Sequence, residues 1–79
     1  MTMRLVLFQR DECHLCDLAL EVLAQARAPE FSSVWIDFDN TLEALYGERV
    51  PVLRDDDSRR ELDWPFDAAQ VTAFLAGSN

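Results

Sequence analysis

The chain has no lysine. Its seven basic residues are all arginine, and they stand against fifteen aspartates and glutamates, so the formal charge is 7 − 15 = −8 over 79 residues. A surface this acidic repels phosphate backbones and anionic lipids, which makes nucleic acid and membrane surfaces poor expectations for a partner and favours a basic protein face or a soluble enzyme. Long apolar runs are also absent: none approaches the ~20 residues of a membrane span. The N-terminal run Leu5 to Phe8 is too short for the core of a signal peptide, and Asp11 and Glu12 follow it closely. A cytoplasmic protein is expected. Repeats, low-complexity tracts and linkers are missing too, so one domain over residues 1–79 is expected, working as a monomer. A chain of this size has room for one core and one shallow site. The hydrophobic fraction of 49% suits a folded globule.

Cysteine is scarce, and that makes its placement informative. Both copies fall in Cys13-His14-Leu15-Cys16, around the chain's single histidine. In a reducing cytosol a close pair is more often catalytic, redox-sensing or metal-binding than structural. A zinc site is not expected. Adjacent Cys13 and His14 on one helix do not readily meet one tetrahedral ion, and no second Cys/His pair exists. Two readings stay open: a redox pair, or two free cysteines that pack as small buried hydrophobes.

The pattern of apolar residues supplies the context. "RLVLFQ", residues 4–9, reads as a strand. Leu15, Leu18, Ala19, Val22 and Ala26 then recur at helical spacing, with Leu20 and Leu23 widening the stripe. Asp11 is the expected N-cap of this helix, and Pro29 its stop. "SSVWIDFD", residues 32–39, alternates Val34, Ile36 and Phe38 against Trp35 and Asp37, as a strand does. Asn40 with Glu43 forms a capping-box pattern for a short helix ended by Gly47. "VPVLR" and "RRELDW" read as a hairpin around the solvated turn "DDDS". Asp67 with Gln70 is a second capping box, and Phe66 with Val71 takes the spacing of a hydrophobic staple. The predicted order is β-α-β-α-β-β-α, an α/β fold with a parallel pair from the βαβ crossover and a terminal antiparallel hairpin.

This order, with Cys-x-x-Cys opening the first helix and Val50-Pro51 opening the third strand, resembles the glutaredoxin branch of the thioredoxin fold. Phe8, Arg10, Cys13 and Cys16 match that family's stretch of aromatic, basic and paired cysteines. The resemblance covers nearly the whole chain and is closest to short glutaredoxin-like proteins of unassigned role. It implies a mixed four-stranded sheet with helices on its faces, and a cis proline at Pro51 that faces the cysteines. The departures are His14-Leu15 in place of Pro-Tyr, Arg49 in place of Thr, and Asp63-Trp64-Pro65 where the family carries Gly-Gly.

Thiol–disulfide exchange needs one accessible thiolate and a second thiol near enough to release the mixed disulfide. At a helix start, the first cysteine points outward and the second lies one turn in. Unpaired N–H groups and the helix dipole favour a thiolate at Cys13. Arg10 and a protonated His14 add to that, whereas Asp11, Glu12 and Asp17 oppose it. His14 has a plainer reading as a solvated first-turn residue. Pro51 on its residue type alone suits the start of an edge strand. Trp64 and Phe66 suit either the core or an apolar rim for a partner.

The expectation is a dithiol oxidoreductase in which Cys13 attacks and Cys16 resolves, with a protein disulfide as substrate and a protein as reductant. The alternative is a redox-inert interaction module on the same fold. The resemblance assigns a substrate groove to Arg10, Val50, Pro51 and Asp67, with Arg49 as a further carboxylate partner. No cofactor is expected, and glutathione is expected to bind poorly. Trp64 and Pro65 fill the turn where glycine would let a ligand approach backbone, and Pro65 has no N–H to donate.

Overall fold

The computed structural model describes residues 4–77 as β1 (Leu5–Gln9), α1 (His14–Gln25), β2 (Phe31–Trp35), α2 (Asn40–Tyr46), β3 (Val52–Asp55), β4 (Arg60–Asp63) and α3 (Ala68–Leu75). The element order is the one the residue pattern predicts. The strands form one mixed sheet in the order β2-β1-β3-β4. β1 and β2 are parallel, with Leu5 opposite Phe31 and Gln9 opposite Trp35. β3 runs antiparallel to both β1 and β4.

Side chains alternate across a strand, so β1 builds a core on each face of the sheet. Leu5 and Leu7, with Leu53 of β3, pack against Ala19 and Leu23 of α1 and Val71 and Phe74 of α3. Phe8, with Val52, packs against Ile36 and Tyr46, and Val6, Val34 and Leu42 close that second cluster. Phe8 and Tyr46 stack with ring centres 4.1 Å apart. This is the expected thioredoxin-like arrangement, with α1 and α3 on one face and α2 on the other.

Several boundaries differ from the sequence reading, each for a local reason. Asp11 does not cap α1: the helix begins three residues later, with Cys13 as N-cap. The buried stripe of α1 is Cys16, Ala19 and Leu23, which rotates Leu15 and Leu20 to the exposed side. β2 stops at Trp35 because Asp39 N–H turns back to the Ile36 carbonyl (3.1 Å), and Asp39 rather than Asn40 then caps α2 through Leu42 N–H. Ile36 is buried as the alternation requires, but Phe38 lies past the turn and is fully exposed. β3 starts at Val52, after Pro51, and β4 ends at Asp63, before Trp64. In the hairpin turn, Asp55 is buried and accepts from Asp57 N–H (2.9 Å) and Ser58 Oγ (3.0 Å), so one carboxylate organises the acidic turn. The capping box of α3 forms as expected: Gln70 N–H meets Asp67 Oδ1 at 2.8 Å, and Asp67 N–H meets Gln70 Oε1 at 2.9 Å. Phe66 and Val71 share the adjacent core cluster. No helix among the described residues is long and apolar enough to cross a membrane.

Candidate functional site

The chain leaves β1 at Gln9 and must turn before α1. Asp11 N–H donates to both carboxylate oxygens of Asp37, at 3.0 and 3.2 Å, and Asp11 Oδ1 accepts Glu12 N–H at 3.1 Å. Glu12 then passes through a left-handed φ of 51°. The turn consumes Asp11 and Glu12 and delivers Cys13 to the cap position. There Cys13 Sγ accepts the backbone N–H of Cys16 at 3.2 Å. This places the Cys13 sulfur at the N-terminal end of α1, against a backbone N–H.

The two sulfurs differ sharply in environment. Cys13 is half-buried, whereas Cys16 is 1% exposed because it belongs to the inward stripe of α1. Both thiols are free. Burial pushes the Cys16 thiol up to about 11, and its hydrogen bond to Cys13 and the negative charge of Cys13 and Asp17 add to the shift. The Arg10 backbone works against them. Cys16 is thus held as a protonated thiol beside an accessible partner.

Arg10 lies next to this pair in the chain, but its side chain reaches across to α2. Its Nη1 and Nη2 donate to Glu43 Oε2 and Oε1, at 2.5 and 2.8 Å, and Nη2 also donates to the Gly47 carbonyl at 3.0 Å. The Arg10 guanidinium holds Glu43 below the usual carboxylate range. Gly47 makes the close packing here: a Cβ there would sit 2.5 Å from the Glu43 carbonyl oxygen. His14 is exposed at the first position of α1.

The other candidates belong to a second group around the hairpin. Arg49 donates to Asp63 through Nε (3.0 Å) and Nη2 (2.8 Å), to Glu61 through Nη2 (2.6 Å), and to the Leu45 carbonyl through Nη1 (3.2 Å). Its guanidinium also covers the Tyr46 ring at 5.1 Å. Asp63 and then Glu61 drive Arg49 further above its ordinary value. Val50 N–H donates to the Tyr46 carbonyl at 3.0 Å. Pro51 is buried, and the Val50–Pro51 bond is cis, as the family resemblance implies. The Trp64–Pro65 bond is cis as well, which nothing in the sequence reading foresaw. Trp64 N–H donates to the Pro51 carbonyl at 3.2 Å, tying the two proline segments together. The Trp64 ring is half-buried and meets Phe66 edge-on at 5.0 Å. Asp67 is occupied as the cap of α3.

A groove of about 380 Å³ opens beside the cysteines. Arg10, Cys13 and Cys16 line it, whereas His14, Arg49, Val50, Pro51, Trp64 and Asp67 do not. Its far wall is Gln9, Ser33 and Trp35, which the sequence reading did not select. The βαβ crossover offered a signal for them. It makes β1 and β2 parallel, so Gln9 and Trp35 sit side by side at the carboxyl ends of the strands, where α/β sheets place their sites.

The family model described as Glutaredoxin-like domain (DUF836) matches residues 4–76. The chain belongs to that family. This glutaredoxin-like domain is also similar to solved structures. The X-ray structure of Northeast Structural Genomics target protein XcR50 from X. campestris is 61% identical over 95% of this chain and 99% of that one, with a TM-score of 0.89. The solution structure of the same target gives 61% identity over 98% and 97% of the two chains, with a TM-score of 0.88. Protein Ne2328 from Nitrosomonas europaea is 32% identical over 94% and 92%, with a TM-score of 0.71. No curated protein matches the chain.

Proposed function

We propose that this glutaredoxin-like domain is a dithiol thiol–disulfide oxidoreductase acting on protein disulfides. The observation that carries the reading is the asymmetry of the pair: Cys13 is an accessible helix cap, and Cys16 is a buried thiol one turn behind it. In the forward step the Cys13 thiolate attacks one sulfur of a substrate disulfide. That S–S bond breaks, a Cys13–substrate disulfide forms, and the released substrate thiolate takes a proton. Cys16 gives up its proton and attacks Cys13 Sγ. The second substrate thiol then leaves, two electrons have passed to the substrate, and the domain holds a Cys13–Cys16 disulfide. A protein reductant restores the dithiol. The reducing cytoplasm is the compartment that suits this direction of transfer, and a single copy of the chain contains both sulfurs.

Glutathione is a poor substrate in this reading. Arg10 is taken by Glu43, Arg49 by Asp63 and Glu61, and Asp67 by the cap of α3. Each group suited to anchor a small anionic peptide already has a partner.

The test is a Cys16→Ser protein, which stops at the first step and retains the substrate on Cys13. Incubation with a disulfide-bonded protein should give a covalent complex that dithiothreitol releases. Thiol titration of the unaltered domain after mild oxidation should show both thiols lost together. No trapped complex, with two thiols that stay free under oxidant, would instead establish the redox-inert interaction module.

A further inference from the structure

We infer that the groove between α1 and the end of β2 receives a polypeptide substrate with Lys or Arg flanking its disulfide cysteine. This rests on the oxidoreductase reading and names the substrate class of that same site. Cys13 and Cys16 both line the groove, so whatever lies in it lies beside the reacting pair.

Charge complementarity selects the occupant. Asp11, Glu12 and Asp17 line the groove and are exposed. Its one cation, Arg10, is neutralised by Glu43. No other arginine and no lysine lines the groove, so among its lining residues no free cation competes with an incoming ammonium or guanidinium. An acidic or anionic substrate would meet uncompensated repulsion at the same place.

Two further observations point to a peptide and not to a free cation. Gln9 is 4% exposed, lines the groove, and has Nε2 fixed by Ser33 Oγ at 2.7 Å. Its Oε1 accepts no hydrogen bond among the described residues, so it remains for a backbone N–H of the occupant. Beside it, Trp35 is 52% exposed and Leu20 is 38% exposed. They offer an apolar floor on which an aliphatic stem or an aromatic side chain packs, and Trp35 also offers a ring face to a cation. The wall of a site at the carboxyl ends of parallel strands explains an outward tryptophan that the core does not use.

The experiment uses the reduced full chain as the two-electron donor in single turnover, so no other reductant enters. The substrates are two peptides of equal length, each closed by one disulfide, with lysines or with glutamates flanking the cysteines. The lysine peptide should be reduced about tenfold faster, and the ratio should shrink in 1 M salt, where the screening length is about 3 Å. Glu12→Gln with Asp17→Asn should bring the ratio close to one. Glu30→Gln with Asp57→Asn removes the same charge at the opposite end of β1, about 13 Å away, and should leave the ratio largely intact. Trp35→Ala should slow both peptides. Reduction of both peptides at equal rates overturns this inference and leaves the oxidoreductase reading standing, as does an equal loss of preference in the remote double variant. Reduction of neither peptide overturns the oxidoreductase reading itself.

Discussion

Cys13 caps the helix that contains Cys16: its Sγ accepts the Cys16 backbone N–H at 3.2 Å. The sulfur meant to be nucleophilic therefore rests on an N–H donor at the positive end of α1, while the other sulfur is buried and protonated. At neutral pH iodoacetamide should modify Cys13 well ahead of Cys16. With the Cys16 thiol pushed up to about 11, its labelling should accelerate steeply only toward that pH. Peptide mapping of the alkylated protein checks this. Equal labelling at pH 7 would remove the assignment of Cys13 as nucleophile.

The same shift links stability to pH. Cys16 keeps its proton in the folded protein up to about 11, whereas an unfolded cysteine loses it near 8.5. Between those values the folded state binds more protons than the unfolded state, so stability falls as pH rises through that window. Tyr46 is raised by burial and by Glu61, which acts in the same direction at higher pH. Urea midpoints of the reduced protein should drop from pH 8.5 to 11. Cys16→Ala should flatten that decline, and an unchanged slope in the variant would contradict the burial of the thiol.

Arg49 is expected to stabilise the hairpin. Its guanidinium joins Glu61 and Asp63 on β4 to the Leu45 carbonyl on α2. Arg49→Met should cost about 1–2 kcal/mol, the range of charge-assisted contacts at a partly exposed network. Denaturant unfolding with m held constant measures it. No measurable loss in Arg49→Met would show that solvent, together with the Tyr46 hydroxyl on Glu61, replaces the contacts of Arg49.

Phe74 anchors the core between α1, α3 and the sheet. It is fully buried, with the Arg60 guanidinium 4.6 Å from its ring centre. Phe74→Ala should cost about 3–5 kcal/mol. Small domains carry totals near the low end of about 5–15 kcal/mol, so the variant should be close to its unfolding midpoint and partly unfolded at 37 °C by circular dichroism. Phe74→Leu, with a loss of about 1–1.5 kcal/mol, should fold.

Turnover with glutathione and its reductase on a small mixed-disulfide substrate should fall about tenfold or more below that of an ordinary dithiol glutaredoxin, as when one or two anchoring contacts are missing. Comparable turnover would mean that Trp64 and Pro65 leave the family's groove open.

The sequence by itself determined the order of elements, the parallel βαβ pair, the position of both cysteines at the start of α1 and the capping box of Asp67 and Gln70. These depend on periodicity and on contacts within a few residues, which neighbouring letters specify. Only the tertiary structure decided which residue capped α1, because Asp37, 26 residues away, holds Asp11 in the preceding turn. It also decided that Arg10 serves Glu43 and that Arg49 serves Asp63, since a long flexible cation takes whichever carboxylate the packed helices and strand register bring within reach. The groove of Gln9, Ser33 and Trp35 is of the same kind: its walls lie on two strands that are adjacent only because the crossover makes them parallel.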